Sequence, residues 1–66
     1  MNETVKIWFQ ALYKKELDEA KASIKNEKIW ELGYDGSSIT NPHTDNIKIL
    51  NEYIETLEEK LAELEC

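Results

Sequence analysis

Between residues 47 and 64 the apolar side chains fall at Ile47, Leu50, Ile54, Leu57, Leu61 and Leu64. Their intervals alternate between three and four. That is an a/d heptad seam over nearly three heptads, with Ile, Ile and Leu at a and Leu throughout at d. The positions between are mostly Glu, Asn, Lys and Thr. Glu55–Glu59 and Glu59–Glu63 place like charges one turn apart, at a cost of about a few tenths of a kcal/mol each. A helix carrying that repulsion draws its stability from packing of the seam, which Ile49 and Tyr53 widen. Asn41 is a favoured N-cap and Pro42 suits the first helical position; Thr44 followed by Asp45 offers a rival cap. The pattern predicts a helix over about 42–65.

From Thr4 to Leu32 there is neither Gly nor Pro, and Ala, Lys, Glu and Leu are common. Phe9, Tyr13, Leu17, Ala20 and Ile24 form one stripe within about 80° of arc. Val5, Leu12 and Trp30 extend it on one side. Trp8, Ala11, Ala22 and Ile29 lie further round, and Ile7 further still, so the turn 5-VKIWF-9 is apolar on nearly every side. Gly33 stands where a left-handed C-terminal cap is expected. The prediction is a helix over about 3–32, a joint over 33–41 and the second helix from 42.

Two long helices and a joint make a single all-α domain over residues 1–66, an antiparallel helical hairpin. Hydrophobic burial in a chain of 66 residues barely offsets roughly 1.5 kcal/mol of ordering entropy per residue. Disulfides are excluded because Cys66 is the only cysteine. With one His and one Cys, no zinc-ligand spacing exists. The expectation is therefore that the hairpin homo-oligomerises into a helical bundle, a dimer or higher. Its interface would be the helix 2 seam (Ile47, Leu50, Ile54, Leu57, Leu61, Leu64) with Phe9, Tyr13, Leu17 and Ile24 of helix 1. The competing arrangement makes helix 2 a parallel coiled coil with helix 1 splayed.

Charge narrows the choice of partner. Residues 1–32 hold six lysines and six acids, whereas residues 33–66 hold two lysines and eight acids, so the net charge of −6 belongs to the second half. Such a surface repels phosphate backbones, and direct nucleic-acid binding is not expected. The acidic face around Glu52, Glu55, Glu59 and Glu63 leaves nucleic-acid mimicry as a weaker idea. The N-terminal stretch lacks the pattern of a signal peptide, no apolar run approaches membrane-spanning length, and a single cysteine fits a reducing compartment. A cytoplasmic protein with no membrane partner is expected.

The chemistry-bearing residues do not form a catalytic constellation. His43 has only Thr44, Ser37 and Ser38 nearby in sequence, hydroxyls that ordinarily cap helices. No E-x-x-H pair, phosphate loop or calcium loop is present, and neither a cofactor nor a metal is expected. Two groups of residues are candidates for binding. One is aromatic and basic: Trp8, which points away from the main stripe, with Lys14 and Lys15 below it, and Trp30 near the joint. The other is the polar cluster Ser37, Ser38, Thr40, Asn41, His43 and Thr44, converging on the N-terminus of helix 2, where free N–H groups and the helix dipole receive anions. A helical hairpin turns in about 2–5 residues, so this joint is longer than turning requires. Tyr34 and Ile39 are expected to close the end of the bundle.

The stretch 50-LNEY-53 is similar to the short helical-hairpin sporulation regulators of the aspartyl-phosphatase type. Their Ser-Gln-Glu-Leu-Asp signature has no counterpart, the aligned positions reading 43-HTDNI-47, so their activity does not carry over. Size and charge are also like those of small acidic helical proteins of phages and mobile elements that act as inhibitors. The expected function is a non-enzymatic interaction protein, an inhibitor or adaptor of another macromolecule with a protein partner. The alternative is an oligomeric sponge for a small anionic, nucleotide-type ligand, held at subunit interfaces or at the helix 2 N-terminus.

Overall fold

The computed structural model describes residues 2–36 and 40–65. Ser37, Ser38, Ile39 and Cys66 lie outside the described residues, and so do the expectations attached to them.

Two helices pack antiparallel: α1, Glu3–Gly33, and α2, Pro42–Glu65. Asn2 caps α1, its Oδ1 accepting from the backbone N–H of Thr4 at 2.7 Å and, more distantly, of Val5. Asn41 caps α2: its Oδ1 accepts from the N–H of His43 at 3.0 Å, and Pro42 takes the first helical position. The Asn41 and Pro42 signals thus prevail over the Thr44–Asp45 alternative, because proline at the first turn forfeits no hydrogen bond.

The end of α1 differs from expectation. Gly33 is the last helical residue and not a left-handed cap, and neither glycine has a positive φ. The chain leaves α1 through Tyr34 in extended conformation (φ −75°, ψ 120°), whose N–H reaches back to the Glu31 carbonyl at 3.4 Å. That carbonyl also accepts from Asn41 Nδ2 at 3.1 Å. A helix end satisfied from across the joint has no need of a glycine cap.

The hairpin is a rod of 53 × 15 × 12 Å with a radius of gyration of 15.6 Å; a compact chain of this length would have about 11 Å. Its interior is thin. Only Leu17, Ala20 and Leu57 are buried among the described residues. The other seam positions, Phe9, Tyr13, Ile24, Ile47, Leu50, Ile54, Leu61 and Leu64, are half-buried where α1 faces α2. The seam that periodicity assigns to self-association is thus already in use, in part, within one chain.

Candidate functional surfaces

The antiparallel register brings the polar joint against the last turns of α1. Glu27 Oε2 lies 2.6 Å from His43 Nδ1 and accepts from Asn46 Nδ2 at 3.2 Å. A carboxylate only accepts, so the proton of this contact sits on Nδ1. The His43 and Asn46 hydrogen bonds hold the Glu27 carboxyl below its ordinary range, overcoming the opposing effect of desolvation. Glu31 accepts from the Thr44 hydroxyl. The His43 ring lies roughly parallel to Trp30 (centroids 6.3 Å apart, planes at 22°) and edge-on to Tyr34 at 5.9 Å.

The joint therefore joins Asn41, His43, Thr44 and Trp30 of the expected binding residues, and adds three that the sequence reading passed over: Glu27, Glu31 and Asn46. The positive end of the α2 dipole is met by two carboxylates from the same chain. Those charges oppose an incoming anion. Thr40 is exposed and has an interaction partner within the structure. The signal that could have found the network is modest: Glu27 and Glu31 lie one turn apart on the face of α1 that also carries Leu17, Ala20 and Ile24.

At the opposite, open end, Phe9 stacks on Tyr13 with centroids 5.9 Å apart, and Trp8 meets Phe9 edge-on at 5.1 Å. Phe9 and Tyr13 line an open groove of about 500 Å³ together with Lys6, Lys60, Glu3, Glu63 and Leu64. Two ammonium groups and two carboxylates leave its charge balanced. Lys14 and Lys15 are exposed on α1 and do not line it.

The largest feature is apolar surface. Trp8 is 60% exposed and Trp30 64%; Val5, Ile7, Ile29, Leu32, Ile49 and Tyr53 are also open to solvent. Tyr53 donates its hydroxyl to Glu16 Oε2 at 3.1 Å, and that bond raises the phenol pKa above its usual value. No group of three or more His, Cys, Asp or Glu among the described residues is placed to hold a metal ion. No helix among them is long and apolar enough to cross a membrane. Comparison with protein-family models, with curated proteins and with solved structures finds no match for this chain.

Proposed function

We propose that this chain is a non-enzymatic interaction protein: a helical hairpin that self-associates into a bundle and acts as a small inhibitor or adaptor of another macromolecule. The observation that carries the reading is its surface. The single hairpin exposes 5199 Å², whereas a folded monomer of its mass exposes about 4,300 Å². The excess of about 900 Å² matches one side of a standard protein interface, about 800 Å². With three buried side chains among the described residues, the hairpin has little else to offset the entropy of ordering. Likeness in size and charge to the small acidic inhibitors of phages and mobile elements agrees with this role.

Sedimentation equilibrium at micromolar concentration tests self-association; a folded monomer would refute it. Affinity capture from the source cell tests the macromolecular partner, comparing the wild type with Ile29→Asp and Leu32→Asp. A partner retained equally by all three would exclude that end of α1 as its contact.

A second reading, a sponge for a small anionic ring-bearing ligand, draws support from the open-end groove, where an aromatic stack lies near Lys6 and Lys60. Thermal shift against a nucleotide panel tests it. A ligand at 100 times its Kd adds about 2.7 kcal/mol, and an unmoved melting curve across the panel would defeat it.

A further inference from the structure

The last turns of α1 sort their charges. Residues 21–32 hold three lysines, Lys21, Lys25 and Lys28, and two acids, Glu27 and Glu31. Both acids are turned into the joint, Glu27 by His43 and Asn46, and Glu31 by the Thr44 hydroxyl. The lysines stay outside. At about 100° per residue, Lys21, Ala22, Lys25, Lys28, Ile29 and Leu32 share an arc of about 120° that contains neither glutamate. All six are exposed, Ile29 at 68% and Leu32 at 89%. Trp30 lies on the other flank, against His43. Among the described residues none of these three lysines forms an ion pair. Asp18, one turn before Ala22, bounds the patch. The joint network thus leaves three ammonium groups with no carboxylate among them, on a chain of net charge −6.

The patch is mixed in character. Ile29 and Leu32 supply apolar surface, and the lysine stems extend it while their ammonium groups stay in water. An apolar patch rimmed by charge is the kind of surface that marks a contact with another molecule. Its shape is a ridge of one helix, about 17 Å from Lys21 to Leu32 at the helical rise. Three turns of a second helix laid alongside would cover it. Such a helix needs apolar side chains against Ile29, Leu32 and Ala22, and carboxylates against Lys21, Lys25 and Lys28. A flat anionic surface would instead face the whole rod, whose net charge repels it. A single helix is narrow enough to meet the patch alone.

We infer that the outer flank of α1 from Lys21 to Leu32 is the docking site for an acidic amphipathic helix of a partner protein. The inference rests on the interaction-protein reading and adds the place on the chain and the chemistry of the partner. The intramolecular hydrogen bonds of Glu27 and Glu31 take part in it, because they keep the chain's own acids from competing for the lysines.

The probe is a display library of random short peptides held in a helical frame, selected on the full chain. Enriched peptides should carry Asp or Glu beside Leu, Ile or Phe at spacings of three and four. Their affinity should fall as salt is raised. The double variant Lys21→Glu, Lys25→Glu should bind them about tenfold more weakly, since each reversal replaces an attraction by a repulsion. Peptides with their acids changed to lysine should regain affinity for that variant and lose it for the wild type. If circular dichroism shows the double variant unfolded, Leu32→Ala decides, with an expected loss of about tenfold from the missing apolar contact. Enriched peptides without acidic bias, or bound equally by wild type and variants, would overturn the site. Binding to phosphatidylserine vesicles that the double variant loses would assign the patch to a lipid surface and overturn the helix. A cellular partner retained by the double variant and by Leu32→Ala would also overturn the site, yet leave the interaction-protein reading standing.

Discussion

Replacing Gly33 by Ala separates two accounts of how α1 ends. In a left-handed cap, alanine would be strained and the protein would lose about 1 kcal/mol or more. In the structure Gly33 is helical, without a positive φ, and a Cβ built on it meets no atom within 4 Å. Alanine there restricts the unfolded chain and favours the helix, a stabilisation of about 0.5–1 kcal/mol. In a domain of this size that raises Tm by roughly 2–8 °C. Thermal denaturation followed by circular dichroism reads the change. Wild type and variant must be compared at equal chain concentration, because an associating protein melts at a temperature that depends on it. A fall in Tm would refute the helical assignment of Gly33 and restore the cap.

Three further outcomes follow from the packing and the joint. Asn41→Ala should cost about 1 kcal/mol in urea unfolding, because it removes both the cap on His43 and the donor to Glu31; no change in midpoint would show that neither bond contributes. Leu57→Ala, at one of the three positions buried among the described residues, should cost about 2–5 kcal/mol, whereas Leu32→Ala, at an 89% exposed position, should be near neutral, and equal effects would contradict the core. Glu27 titrates lower in the folded chain than its ordinary 4.5, so the unfolded chain binds the proton first and the stability from its contacts is full above that value. It is lost as pH falls through the folded pKa. Melting curves of wild type and Glu27→Gln between pH 6 and 3 should therefore differ most at pH 6 and converge toward pH 3; parallel curves would show that the Glu27 contacts are thermodynamically silent.

The helices were legible because their signals are local. The 3–4 spacing from Ile47 to Leu64 and the Asn41–Pro42 pair need no knowledge of the partner helix, and both bounds of α2 follow from them. The fate of the seam was less legible. Periodicity tells which face of a helix is covered, but not whether the covering helix comes from the same chain, and here α1 takes part of that role. The joint network was hidden for a related reason. Glu27 and Glu31 look like surface acids until the antiparallel register sets them beside His43, Asn46 and Thr44. Gly33 misled because glycine after a helical run usually supplies a left-handed turn, and here Asn41 Nδ2 serves the exposed carbonyl of Glu31 from across the joint.

The register also orders the assembly of the hairpin in time. The contacts that bridge the helices span 10 residues at Asn41–Glu31, 16 at His43–Glu27 and 37 at Tyr53–Glu16. Closing a loop several times longer costs about 1–1.5 kcal/mol more in chain entropy, so the hairpin zips from the joint toward its termini. The joint network is then the clasp that starts the zipper. The open end, where Trp8, Phe9 and Tyr13 cluster, closes last and frays first. A mutation in the clasp should slow folding, whereas one at the open end should chiefly speed unfolding.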